Sequence, residues 1–189
     1  FYPNGKVETE ANYENGILTG FYKTYFDSGQ LETVSTMEQG SKNGLFKTYD
    51  LEGHLILEGG FLSGKLHGDN IGYFPAGTIQ HQYHYKNGKK TGINTDYYPT
   101  GKISAREQVS PAGLDASRQE YDEKEKLTAE KELRNGQPHG TWKFFFEGGK
   151  IVRMRETYTN GKLEGARYTY FPDGKIQKEE LYKFNLLNG

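Results

Sequence analysis

Large side chains and glycines return every 24 residues along the chain, and between them apolar and polar positions alternate in short runs. One glycine recurs as Gly5, Gly29, Gly53, Gly77 and Gly101; Glu125 holds the next place, followed by Gly149 and, one residue late, Gly174. Four residues before this position stands an aromatic: Phe1, Tyr25, Tyr49, Tyr73, Tyr97, Tyr121, Phe145 and Tyr170. Two residues after it comes an aliphatic: Val7, Leu31, Leu55, Ile79, Ile103, Leu127, Ile151 and Ile176. Eight after it, allowing one insertion between Gly149 and Gly161, come Tyr13, Met37, Phe61, Tyr85, Val109, Leu133, Tyr158 and Tyr182. The last two offsets differ by an even number, so those side chains share a strand face. The three columns together are the expected core.

A second glycine set runs Gly16, Gly40, Gly64, Gly88, Gly136 and Gly161, and each member is followed four residues later by another: Gly20, Gly44, Gly68, Gly92, Gly140 and Gly165. Both members of these pairs read as turn glycines. Asn15-Gly16, Asn87-Gly88, Asn135-Gly136 and Asn160-Gly161 are hairpin chemistry, because both residue types tolerate the positive φ of tight turns. Asp27-Ser28-Gly29, Pro75-Ala76-Gly77 and Pro172-Asp173-Gly174 mark the opposite turns, and Asn188-Gly189 reads as one more. The predicted unit is strand, turn, strand, turn, giving about fifteen strands of about five or six residues. One hairpin cannot bury its apolar face alone, so the units must stack in series.

Tyr97-Tyr98-Pro99-Thr100-Gly101-Lys102-Ile103 and Tyr158-Thr159-Asn160-Gly161-Lys162-Leu163-Glu164-Gly165 resemble MORN repeats. The match is closest to the bacterial variant found in proteins named for a toxin–antitoxin antitoxin family. It extends over essentially the whole chain, in seven complete or near-complete units and an eighth beginning at Gly174. The resemblance implies an all-β, elongated antiparallel β-hairpin array, curved with a concave face, as one repeat domain over residues 1–189. It also implies a non-catalytic binding or interaction scaffold, antitoxin-like in the family's own naming. The family's link with acidic phospholipids supplies the alternative, a peripheral membrane or phosphoinositide-binding module. The same repeat class occurs in plant phosphatidylinositol phosphate kinases, so a lipid-kinase label here would reflect the shared repeat. The chain opens inside a repeat and without Met, and so reads as a piece of a longer protein.

One unit departs from the pattern. Over about residues 104–132 both glycine signals fade: Pro111-Ala112-Gly113-Leu114-Asp115-Ala116 replaces one turn and Glu125 the other. Tyr121-Asp122-Glu123-Lys124-Glu125-Lys126 can be read as helical. Tyr121, Leu127 and Leu133 nevertheless keep their columns, which favours a degenerate hairpin.

Composition agrees with a thin, ring-filled core. Hydrophobic residues are 33% of the chain and aromatics 14%, with 15 Tyr, 11 Phe and 25 Gly. The aromatic content is too high for intrinsic disorder. Net charge is -1, from 24 basic and 25 acidic side chains, so no basic surplus points to nucleic acid. The absence of Cys removes disulfides, thiolate metal sites and cysteine nucleophiles. No run approaches the roughly 20 apolar residues of a membrane-spanning helix. These features choose no compartment.

Catalytic and cofactor motifs are missing. There is no GxxxxGK[ST] loop, no GxGxxG opening a helix, no HExxH and no Gly-x-Ser-x-Gly elbow. His54, His67, His81, His84 and His139 lack metal-ligand spacing and read as exposed loop or sheet-face residues; His81 and His84, three apart on a predicted strand, point to opposite faces. No catalytic residue, metal site or cofactor is expected.

One feature exceeds what folding requires. Next to the Tyr25 column runs a second, interrupted one: Tyr2, Phe26, Phe74, Tyr98, Phe146 and Phe171, with Asp50 and Asp122 in the gaps. Adjacent strand positions face opposite sides, so these rings lie opposite Tyr25. They either shield the turns or form a ladder that docks a protein partner, for which Phe26, Phe74, Tyr98, Phe146 and Phe171 are the candidates. Trp142 falls on the face of Phe146 and reads as packing. Lys6, Lys89, Lys102, Lys150, Lys162 and Lys175 line the hairpin ends and could meet an anionic lipid surface, although acidic residues balance them. Open edge strands invite end-to-end self-association.

Overall fold

The computed structural model describes residues 1–188, and among them every regular element is a strand. Gly189, half of the last expected turn, lies outside the described residues. The chain divides into two compact units, Phe1–Lys90 with Pro99–Gly101 and Thr91–Tyr98 with Lys102–Gly189. The first holds β1 (Thr9–Glu14), β2 (Ile17–Tyr25), β3 (Leu31–Glu38), β4 (Ser41–Tyr49), β5 (Leu55–Leu62), β6 (Lys65–Leu66), β7 (Gly68–Tyr73), β8 (Ile79–Lys86) and β9 (Lys89–Lys90). The second holds β10 (Gly92–Tyr97), β11 (Ile103–Val109), β12 (Asp115–Tyr121), β13 (Leu127–Arg134), β14 (Gln137–Phe145), β15 (Val152–Thr159), β16 (Lys162–Leu163), β17 (Gly165–Tyr170), β18 (Ile176–Lys183) and β19 (Leu186–Leu187). Within each unit, strands pair antiparallel with their neighbours in sequence, the all-β hairpin array that the columns predict.

Two turn types alternate. Asn15 and Gly16 have φ of 50° and 79°, and Glu14 pairs with Ile17 across them, a two-residue turn with both residues left-handed. At the other end the Phe26 amide donates to the Gln30 carbonyl at 2.9 Å and the Gly29 amide to the Phe26 carbonyl at 2.8 Å. Gly29, at φ 91°, closes this three-residue loop.

The degenerate unit keeps this geometry. Asp122 N–H donates to Lys126 O at 2.9 Å, Glu125 N–H donates to Asp122 O at 2.8 Å, and Glu125 itself adopts φ 61°. β12 and β13 therefore form a hairpin where the local sequence also allowed a helix. Register with the neighbouring strands outweighs the helix propensity of Glu and Lys.

Three expectations are corrected. Gly20, Gly44 and Gly140 lie at bulges inside strands and Gly68, Gly92 and Gly165 open strands, so none of the six is a turn glycine. Gly20 lies within β2 at φ 73°, where pairing jumps from Ala11–Tyr22 to Tyr13–Leu18. Extra residues opposite Asn12 need the positive φ that glycine adopts without steric cost.

The insertion falls at the turn after Gly149. Phe146 N–H reaches Ile151 O, one residue later than in other units, and Val152 pairs with Phe145. Val152 thus takes the aliphatic column, and Ile151 is 41% exposed.

The Tyr25 column does not share the core face. Thr24 and Thr33 are direct partners, so Met37, four residues beyond Thr33, lies on their side and Tyr25, next to Thr24, on the other. Phe26 joins the buried side. Burial follows the same alternation: Ser35 and Met37 are buried with Thr36 exposed between them, and Ala105, Glu107 and Val109 with Arg106 and Gln108 between them. Side chains of adjoining strands cover this face, as in the contacts of Phe46 with Phe61 (4.9 Å between ring centroids) and Trp142 with Tyr158 (4.8 Å).

Glu125 carries a left-handed backbone without the freedom of glycine, which costs roughly 1–2 kcal/mol. Glu125→Gly removes that cost while adding about 0.5–1 kcal/mol of unfolded-chain entropy. The urea midpoint is expected to rise, by up to about 1.5 kcal/mol of stability. A lower midpoint would contradict the turn geometry.

Candidate functional site

The second aromatic column sits where each three-residue loop begins. Phe26, Phe74, Tyr98 and Phe146 are half-buried, and Phe171 is 46% exposed. Phe26 and Phe74 belong to the first unit; Tyr98, Phe146 and Phe171 belong to the second. Two members are tied to the following repeat: Tyr2 OH donates to Tyr25 O at 2.6 Å and Tyr98 OH to Tyr121 O at 2.7 Å. In the gaps a carboxylate does local work instead. Asp50 Oδ1 accepts the amides of Glu52 and His54 at 3.1 and 2.8 Å, and Asp122 Oδ1 accepts those of Lys124 and Lys126, both at 2.9 Å. The position therefore begins each turn, closed by a carboxylate at Asp50 and Asp122 and tied to the next repeat by the hydroxyl at Tyr2 and Tyr98. Between Tyr2 and Phe26 an open groove of about 520 Å³ is lined by Pro3, Asn4 and Asp27.

Burial opposes the charge of Asp50, but the His54 amide and ring, with the Glu52 amide, outweigh it and hold the carboxyl below its ordinary range. Asp50, Glu52 and His54 offer ligand atoms within 4.8 Å of one another. The Asp50 oxygens are already engaged, one with turn amides and the other with His54 Nδ1 at 3.1 Å.

The lysines of the turns are partly structural. Lys6 donates to Ser28 O and Lys102 to Glu123 O at 2.8 Å, while Lys175 pairs with Asp173 at 3.3 Å. The histidines divide. His54 and His84 are exposed, but His67, His81 and His139 are half-buried, against the expectation of exposed positions. The His81 ring stacks on Tyr83 at 4.5 Å and occupies the space above Gly72, where a Cβ would lie 2.1 Å from it. His67 and His139 take equivalent places beside Gly68 and Gly140, with each Nδ1 buried and unpartnered.

Charges on the buried face of the second unit were not foreseen. Arg118 reaches Asp96 at 2.8 Å and Glu120 at 3.2 Å, and Glu120 also holds Lys131 at 2.7 Å. Burial would raise the Glu120 carboxyl; Lys131 and Arg118 more than offset it and lower it. Further along, Arg167 links Glu180 at 2.7 Å with the buried Glu156 at 3.7 Å. Trp142 packs between Tyr158 and Phe144, with Lys131 Nζ 5.1 Å from its ring, as the packing reading expects.

Comparison with known families finds the MORN repeat variant over residues 1–15, 66–87, 138–160 and 163–184. No curated protein matches the chain. Repeats of this kind commonly serve as binding or scaffold modules and are generally non-catalytic.

Two tyrosines are expected to titrate late. Glu58 accepts the Tyr73 hydroxyl at 2.6 Å, and that bond, with burial, pushes Tyr73 from 10.0 up to about 12. Burial first, and then Glu156, moves Tyr158 to about 12 as well. Each contributes stability in full below the unfolded value of 10.0, and that contribution is lost as pH rises towards 12. Alkaline ultraviolet titration is expected to show a late phase that shrinks in Tyr73→Phe. A phase unchanged by that substitution would contradict the Glu58 bond.

Proposed function

The chain is a MORN-repeat protein, and from that premise we propose a non-catalytic scaffold whose ligand is another protein. The observation that carries this reading is the ring column at the turns. Its members keep part of their surface open although each stands where a short carboxylate suffices to close the turn, as at Asp50 and Asp122. Half-exposed rings on a rigid backbone give large contact area at small entropic cost, as interface hot spots do. Phe26 and Phe74 would offer this surface in the first unit, and Tyr98, Phe146 and Phe171 in the second. We place an antitoxin-like role within the same reading, as one form of protein binding.

The membrane reading has weaker support. Lys6 and Lys102 commit their ammonium groups to neighbouring turns, and headgroup attraction needs clustered, uncommitted cations.

The test is affinity capture of partner proteins by the immobilised chain, beside Phe171→Ser and Phe74→Ser, with circular dichroism as the folding control. A protein retained by the parent chain and lost from the folded variants is the expected result. Equal retention by all three would remove the column from the binding surface, and loss of the strand signal would make those rings core.

A further inference from the structure

On the exposed face of the second unit, β14, β15 and β17 bring Lys143, Arg155 and Tyr168 side by side as direct cross-strand partners. Arg153, two residues before Arg155, is the extra residue of the bulge between Met154 and Val152, and both arginines are exposed. Phe145 and Tyr170 share this face. Like charges directly opposite one another destabilise a sheet. Among the described residues two other basic pairs stand so. Lys86 faces Lys89 across the Asn87-Gly88 turn, and Arg118 faces Lys131 with the Glu120 carboxylate between them. Lys143 and Arg155 have no such shared acid. Glu130 meets Lys143 at 3.1 Å, but the guanidinium of Arg155 rests on the Tyr168 ring at 4.7 Å, and Arg153 has neither ion pair nor hydrogen bond among the described residues. The Tyr168 hydroxyl donates to Glu179 at 2.8 Å, fixing the ring under Arg155.

We infer that this patch receives an acidic segment of a partner protein, with Arg153 and Arg155 as the carboxylate receptors. The inference rests on the protein-binding reading but places contact on the face opposite the ring column. Two guanidiniums at i and i+2 present planar forks that match carboxylates in two parallel hydrogen bonds. Arg155 is pre-organised by its ring, which lowers the ordering cost of binding. Phe145 and Tyr170 offer apolar surface for side chains between the acids. Beside the patch an open groove of about 340 Å³, lined by Arg106, Gln119, Glu130 and Lys143 among others, gives an extended segment room to continue. Glu130 and Glu179 bound the cations on both sides. Discrete carboxylates fit between such flanks, whereas the continuous charge of nucleic acid or an anionic membrane meets repulsion there.

The experiment is fluorescence anisotropy with a labelled peptide of about ten residues alternating Glu and Ser, and a control with Gln for Glu. Parallel arms use vesicles of phosphatidylcholine with phosphatidylserine and a single-stranded oligonucleotide. The full chain is expected to bind the Glu peptide and not the Gln peptide. Arg153→Gln/Arg155→Gln is expected to lose at least about tenfold in affinity, while Leu45→Ser, at an exposed position of the first unit, retains it. Both substitutions are at exposed positions, and the strand signal is checked for each. Equal binding by parent and double variant, or no binding by the parent, would overturn the inference. So would vesicles or oligonucleotide binding more tightly than the peptide. Because partner capture with Phe171→Ser and Phe74→Ser reads the ring column separately, failure of the patch is distinguishable from failure of the scaffold reading.

Discussion

Each hairpin depends on a residue that holds a left-handed backbone and passes a hydrogen bond to its neighbour. Gly40 N–H donates to Leu18 O at 2.9 Å, Gly64 N–H to Lys42 O and Gly88 N–H to Leu66 O, both at 2.8 Å, and Gly161 N–H to Pro138 O at 2.8 Å. A turn therefore does more than reverse the chain; it fixes the next hairpin in register against the last. Register matters here because a one-residue slip would carry Met37 and Val109 from the buried face to the exposed one. Positive φ is inexpensive for glycine and asparagine and costly for most other residues, so turn chemistry sets the 24-residue period.

The buried face is filled differently in the two units. In the first, the central row includes Tyr22, Ser35, Phe46 and Asn70; in the second it includes Glu107, Arg118, Lys131, Trp142, Glu156 and Arg167. Charges survive there because each of these cations has a carboxylate beside it, as Glu120 serves both Arg118 and Lys131 and Glu180 and Glu156 serve Arg167. On the opposite face of the same unit Arg153 and Arg155 lack that internal neutralisation. Two faces of one strand thus carry different duties: Met154 and Glu156 pack inward while Arg153 and Arg155 meet solvent.

Much of the fold was legible because it is repeated. The Asn-Gly turns, the Leu31 and Met37 columns and the hairpin through Glu125 follow from spacing alone, since an error in one unit is checked by the others. The bulges escaped because glycine at positive φ looks the same in sequence whether it turns a chain or kinks a strand. The side taken by Tyr25 was missed because the pairing slips at Glu32, between Tyr25–Leu31 and Thr24–Thr33, so spacing alone does not relate the columns on either side of the turn. Val152 displaced Ile151 because an inserted residue can be absorbed at either end of a turn. The buried charges were unread since charged residues at alternate positions ordinarily mark solvent. Counting from Met37 by twos would have placed Ser35, and three periods on Glu107, on the inner face. Of the candidate surface, the ring column was visible, but its service to the turns needs the Tyr98–Tyr121 bond to be seen.

The central claim is that turn residues staple successive hairpins, and amide hydrogen exchange tests it most directly. Gly40, Gly64 and Gly88 are exposed turn residues whose amides would exchange rapidly if the turns stood free. The stapled arrangement predicts slow exchange at all three, comparable with amides inside the strands. Rapid exchange at these glycines, with the strands protected, would show independent hairpins and contradict the account.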